Sequence, residues 1–110
     1  MGRYITTTGT ASPVIREVST TFSATVNDRI LADSSGGAFT ITLPTNSSLL
    51  VGDQIQIIDV AGGFNSNNVT LGRNSSLING AAEDLVADVD GAVITLLYTG
   101  ATYGWVITSS

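Results

Sequence analysis

The stretch Asp53-Gln-Ile-Gln-Ile-Ile-Asp-Val60 decides the fold class of this 110-residue chain. Its first half alternates glutamine with isoleucine, which places Ile55 and Ile57 on one face of an extended strand and the glutamines on the other. Ile58 and Val60 then face the opposite way, so the far end of the strand is buried differently or contains a bulge. The stretch therefore predicts a β-strand that is half buried along most of its length.

The rest of the sequence shows the same period of two. Residues 39–43 and 103–107 alternate in the same way, and residues 93–98 are apolar on both faces, which indicates a central strand or one at an interface. The loop Ser34-Ser-Gly-Gly37 is predicted to join residues 28–33 to residues 38–43 as a four-residue hairpin. These signals predict an all-β domain of about eight short strands.

Residues 1–27 differ from the remainder because they are rich in threonine and serine and contain few large apolar side chains. They are typical either of a disordered tail or of an arm that orders by adding strands to a neighbouring chain or a larger assembly. Near-alternation over residues 17–26 favours the arm, so we expect an N-terminal arm at 1–27 and a β domain at 28–110. The residues predicted to dock the arm are Tyr4, Ile5, Val14, Ile15, Val18 and Phe22, with pairing expected over residues 6–8 and 14–26.

The composition excludes several classes of function. The chain has no lysine, histidine or cysteine, and nine acids against four arginines give a net charge of −5. This charge argues against nucleic-acid binding, and the missing residue types remove thiolate and imidazole metal sites and histidine-based catalysis. The uncharged stretches 34–52 and 91–110 are interrupted by proline or glycine and are not continuous apolar spans. We therefore expect no nucleic-acid partner, no membrane partner, no cofactor and no metal.

The carboxylates do not form a convincing catalytic pair. Asp53 and Asp59 lie about 20 Å apart along one strand, too far to act on one bond. Glu83 and its acidic neighbour are typical of a solvated turn, and Asp88 and Asp90 of a polar rim beside an Asp-Gly turn. Asp88 and Asp90 match a fragment of the calcium-binding loop signature, and the rest of that signature is absent. We predict no catalytic residue and no enzymatic activity; a depolymerase that depends on Glu83 or Asp88 is the nominal alternative.

Two further patterns concern contacts with other molecules. A β-sheet without lysine has few means of protecting its edges from pairing, which predicts a symmetric oligomer. Tyr98, Tyr103 and Trp105 cluster near the C-terminus, where they either belong to the core or a trimer interface or form a platform that stacks on a host glycan.

Several separated motifs resemble, in this order, a β module of tail fibres and other accessory virion proteins of tailed bacteriophages. They are Asp33-Ser-Ser-Gly-Gly-Ala-Phe-Thr-Ile-Thr-Leu-Pro44, Gly52-Asp-Gln-Ile-Gln-Ile-Ile-Asp59, Asn67-Asn-Val-Thr-Leu-Gly-Arg-Asn74, Ile78-Asn-Gly-Ala-Ala-Glu-Asp-Leu85 and Tyr98-Thr-Gly-Ala-Thr-Tyr-Gly-Trp105. The resemblance implies a small antiparallel β-sandwich or prism, jelly-roll-like, that packs as a homotrimer and performs no enzymatic step.

The resemblance also implies a location in the virion and contacts with other phage proteins of the capsid, neck or tail. Receptor-binding fibres normally have a long shaft before this module, whereas a short arm precedes it here. This difference favours a capsid decoration protein, a head or neck fibre or a small tail-fibre subunit attached through its arm. A receptor-binding fibre tip that recognises a host-surface glycan is the alternative.

Overall fold

The computed structural model describes residues 13–109 and is all-β, which confirms the predicted fold class. Its nine strands form a five-stranded and a four-stranded sheet, and a single 3₁₀ turn lies at Asn46–Ser48. The strands are β1 (Val14–Val18), β2 (Phe22–Ser23), β3 (Asp28–Ala32), β4 (Phe39–Thr42), β5 (Gln54–Asp59), β6 (Val69–Gly72), β7 (Leu85–Ala87), β8 (Val93–Tyr98) and β9 (Trp105–Ser109).

The first six strands alternate between the two sheets. The larger sheet has the order β1-β3-β5-β8-β9 and the smaller β2-β4-β6-β7. β1, β3 and β5 are parallel to one another, as are β2, β4 and β6. The chain thus coils between two facing sheets, and each new coil adds one strand to each sheet. β7, β8 and β9 then pair in antiparallel fashion.

The expected antiparallel arrangement is therefore wrong for four of the seven strand pairs, and the loop at Ser34–Gly37 is the clearest case. It carries the chain from β3 in one sheet to β4 in the other, and no hairpin forms. Ser34 is fully buried beneath this arch, and Asp33 accepts a hydrogen bond from the Ser35 backbone N–H. Side-chain alternation looks the same in a hairpin and in an arch, because both bury one face of each strand against the same interior.

The described part of the predicted arm belongs to the two sheets. β1 pairs with β3 and β2 with β4 of the same chain, whereas the expected pairing was with another molecule. Val18 and Ala24 are buried in the core. These two strands extend the coil by one turn, so their backbone groups bond to the chain's own strands. Tyr4, Ile5 and residues 6–8 lie outside the described residues.

The core lies between the two sheets. Inward side chains of both sheets interdigitate there, and each fully buried large aliphatic or aromatic group stabilises the fold by about 1.5–3 kcal/mol. The largest fully buried side chains are those of Trp105, Phe64, Ile30, Ile41, Leu43, Ile55, Ile57, Leu71 and Leu96.

Candidate functional site

Six of the seven aspartates accept hydrogen bonds from backbone N–H groups. The acceptors and donors are Asp28 with Thr25, Asp33 with Ser35, Asp53 with Leu50, Asp84 with Arg73, Asp90 with Asn65, and Asp59 with four donors. Asp28 in addition forms an ion pair with Arg16, Nε to Oδ1 3.2 Å. These carboxylates fix loops and turns, where backbone donors have no strand partner.

Glu83 and Asp88, the residues of the depolymerase alternative, are exposed and have no hydrogen-bond partner within residues 13–109. Asp90, the other half of the calcium-loop fragment, is occupied by the Asn65 N–H at 2.8 Å. In the same range, no three acidic side chains come close enough together to hold a metal ion.

Asp59 holds two loops against the end of β5. Its Oδ1 accepts the N–H groups of Gly62 and Gly63 at 2.9 and 3.1 Å, and its Oδ2 accepts those of Phe64 and Gly91 at 3.1 and 2.9 Å. The residue is almost entirely buried. One carboxylate thereby joins the loop that follows β5 to the turn that precedes β8.

The hydrogen bonds also set the protonation of Asp59. Burial alone would raise the pKa of its carboxyl group, but the N–H groups of Gly91, Phe64, Gly63 and Gly62 outweigh burial and lower the pKa below the ordinary value of 3.8. Asp59 is therefore charged in the folded protein at neutral pH, which strengthens its four hydrogen bonds.

We expect the free energy of unfolding to fall as the pH drops below about 4. Because the unfolded Asp59 has the ordinary pKa of 3.8 and the folded one a lower pKa, the unfolded state binds more protons in this range. The stabilisation is thus complete above the unfolded pKa and is lost as the pH falls through the folded pKa. Urea unfolding between pH 7 and 2.5 measures it, and the curves of wild type and Asp59→Asn should converge in acid. Curves that stay parallel over that range would contradict the assignment.

The three C-terminal aromatic residues do not form one surface. Trp105 is fully buried and Tyr98 almost so, and their rings pack edge to face with centroids 5.4 Å apart. Both belong to the core, which was one of the alternatives open from the sequence, so neither ring is available to stack on a glycan. Tyr103 is 63% exposed and makes no ring contact with the other two. No stacking platform of the three aromatic residues exists in this structure.

The described docking residues fall into two groups. Val14 and Ile15 at the start of β1 are exposed, so they are available to another molecule. Val18 is buried in the core and Phe22 packs partly against it, so both are occupied within the chain. The structure thus leaves two of these four side chains free for docking.

A groove of about 500 Å³ lies between β7 and β8. Aliphatic side chains line it, including those of Val86, Val89 and Ile107, and Asp88 and Asp90 supply its charge. A sugar site needs convergent hydrogen-bonding groups and usually an aromatic face, and this groove has no aromatic residue. It is therefore an apolar surface with an acidic rim.

The outer faces of the two sheets differ in chemistry. The strand register places three rows across the larger sheet: Glu17, Leu31, Ile58 and Val93, then Ile15, Arg29, Gln56 and Thr95, then Gln54, Leu97 and Val106. The smaller sheet instead presents Ser23, Thr40, Thr42, Thr70, Gly72 and Val86. One face is thus half aliphatic, whereas the other is built mainly of small polar side chains.

Sequence patterns indicated part of the aliphatic face and missed the rest. The change of side at Ile58 and the two-faced apolar run that begins at Val93 were visible signals. Leu31, Leu97 and Val106 lie on the same face as Ile58 and Val93, but this follows only from the strand register. The register depends on how β3, β5, β8 and β9 pair, which the sequence patterns did not indicate.

No protein-family model and no curated protein sequence matches this chain. No helix within residues 13–109 is long and apolar enough to cross a membrane.

Proposed function

We propose that this protein is a non-enzymatic structural subunit of a bacteriophage virion that assembles as a homotrimer. The observation that carries the proposal is the open state of the sheet edges. Within residues 13–109, no strand pairs with the outer edges of β1, β2 and β7, and β9 is covered only from Trp105 to Ile107, by residues 77–79.

Apart from the shortness of β2 and β7, which have two and three residues, these edges have few of the devices by which monomeric β proteins prevent pairing. β2 and β7 contain no charged residue and no proline, and the chain has no lysine to place there. The Arg16 and Glu17 side chains of β1 are its charged groups, and Val14 and Ile15 expose apolar surface beside them. Unprotected edges of this kind are stable in water when other chains cover them.

The aspartates support a structural role. Since six of the seven aspartates hold backbone N–H groups, few acids remain to act on a substrate. Glu83 and Asp88, the residues of the depolymerase alternative, have no group that orients their side chains within residues 13–109. The virion as the location, and capsid, neck or tail proteins as partners, follow from the resemblance of the motifs. The segment before Pro13 and the exposed start of β1 are proposed to attach the protein to those partners.

Light scattering of the purified chain at micromolar concentration tests the proposal. We expect a mass three times the 11.3 kDa of one chain, and electron microscopy of the phage particle is expected to place the trimer on its outer surface. A folded species of 11.3 kDa over this concentration range would overturn the homotrimer and, with it, the proposed function.

A further inference from the structure

We infer that the outer face of the larger sheet is the surface through which copies of this chain pack together, an inference that rests on the proposed self-assembly. This aliphatic face comprises the outward residues of β1, β3, β5, β8 and β9. It has no third layer above it within residues 13–109.

The contrast between the two sheets identifies the face. On the smaller sheet, Thr40 and Thr70 pair across the middle of the outer surface, which suits contact with water. On the larger sheet, the row at the end of β3 and β5 contains Leu31 and Ile58, with Val93 next to them and 38% exposed. A contiguous aliphatic surface across adjacent strands is typical of an interface with another protein.

The charges on the face favour a second copy of the same chain as the occupant. The face has one acid, Glu17, and one base, Arg29, on neighbouring strands, and neither side chain has a hydrogen-bond or ion-pair partner within residues 13–109. The face is thus neutral on a chain whose net charge is −5. Two such faces complement each other, because Glu17 of one copy meets Arg29 of the next.

The groove between β7 and β8 fits a second copy less well. Its charged residues, Asp88 and Asp90, are both acidic, so another acidic chain is repelled there. Three copies that share the aliphatic face form a triangular prism with the row of Leu31, Ile58 and Val93 near the axis. The threonine face of each copy then points to solvent.

A matched pair of substitutions tests the face. Ile58→Glu introduces a carboxylate on the central strand of the larger sheet, in the row of Leu31 and Val93, and Thr70→Glu introduces the same group on the outer face of the smaller sheet. Both positions are partly exposed, so each variant is expected to fold. We expect Ile58→Glu to raise the concentration of half-assembly by about 100-fold or more, because each copy then buries a charge. Thr70→Glu is expected to assemble like wild type.

Single cysteines provide a second measurement that does not depend on weakening the trimer. The chain has no cysteine, so Val93→Cys and Val86→Cys each introduce one thiol, at positions 38% and 50% exposed. In the assembled protein we expect a water-soluble thiol reagent to modify Val93→Cys at least about tenfold more slowly than Val86→Cys. On dilution to the monomer, the two rates are expected to approach each other.

The outcomes separate this inference from the proposed function. A wild-type trimer with unchanged assembly of Ile58→Glu and equal thiol reactivities would overturn the aliphatic face as the interface and leave the homotrimer intact. Protection of Val86→Cys to the same degree as Val93→Cys would move the interface to the groove, which both residues line, and overturn the inference as well. A monomeric wild type would overturn both.

Discussion

Gly104→Ala is expected to lower the free energy of unfolding by about 4 kcal/mol or more, or to prevent folding. Gly104 has a backbone φ of +72°, a region in which an alanine costs about 1 kcal/mol. An added Cβ would in addition overlap the carbonyl group of Leu77. This carbonyl accepts the Trp105 N–H at 2.8 Å, so it cannot turn away without breaking the start of β9.

The surroundings of Gly104 leave little room for adjustment. Its carbonyl oxygen accepts hydrogen bonds from the Thr99 N–H and hydroxyl at 2.9 and 2.8 Å, and its own N–H donates to Gly100 at 2.9 Å. The close approach of the two backbones holds the 77–79 segment against β9, where Ile78 bridges to Trp105. Relief of the overlap therefore requires movement of a strand, which disturbs the packing of Trp105.

Gly91→Ala is the matched control. Gly91 has nearly the same φ, +76°, but an added Cβ meets no atom within 4 Å. Its N–H, which donates to Asp59, is retained in alanine. We expect a loss of about 1 kcal/mol, so the difference between the two variants measures the contact with Leu77. Urea unfolding followed by the fluorescence of the single tryptophan provides both values. A difference under about 1 kcal/mol would contradict this role of Gly104.

The positions of the strands were predictable from the sequence, whereas their partners were not. Alternation located β4, β5 and β8 to within about one or two residues, because side chains on one face of a strand recur at every second position. Pairing direction depends on whether a loop such as residues 34–37 turns within a sheet or crosses to the other sheet. Both kinds of loop give the same alternation of buried and exposed side chains. Periodicity alone therefore does not indicate whether neighbouring strands are parallel or antiparallel.

The candidate surfaces show the same limit. Isolated signals at Ile58 and Val93 were legible, but the aliphatic face emerges only when the register brings strands from distant parts of the chain side by side. Asp59 was considered as a catalytic acid because residue type alone indicates chemistry. Its partners are backbone N–H groups, and because every residue except proline has one, residue type does not reveal them. The glycines at 62 and 63 were the sequence signal for a loop whose N–H groups could approach this carboxylate.

Asp59→Asn is expected to cost about 4 kcal/mol in the free energy of unfolding. An asparagine keeps one oxygen, which still accepts the N–H groups of Gly62 and Gly63. The second oxygen becomes an NH₂ group that faces the N–H groups of Phe64 and Gly91, and donors cannot bond to donors. The variant therefore loses the negative charge and two charge-assisted hydrogen bonds, each contributing about 1.5–3 kcal/mol, and leaves the buried Phe64 N–H without a partner.

Asp53→Asn makes the same chemical change where one backbone donor is involved. The Asp53 carboxylate accepts the Leu50 N–H at 2.8 Å, and the remaining oxygen of an asparagine is able to accept it. We therefore expect the free energy of unfolding to fall by at most about 1 kcal/mol in a urea titration at pH 7.

The comparison of the two variants separates the effect of charge from that of the hydrogen bonds. Equal losses in the free energy of unfolding would show that any aspartate charge stabilises the protein to the same extent and that the four hydrogen bonds of Asp59 add nothing. A large loss confined to Asp59→Asn instead means that one carboxylate stabilises the contact between the loop after β5 and the turn before β8. Since that turn leads into β8 and its outward Val93, the aliphatic face depends on a residue whose side chain lies on the other side of the sheet.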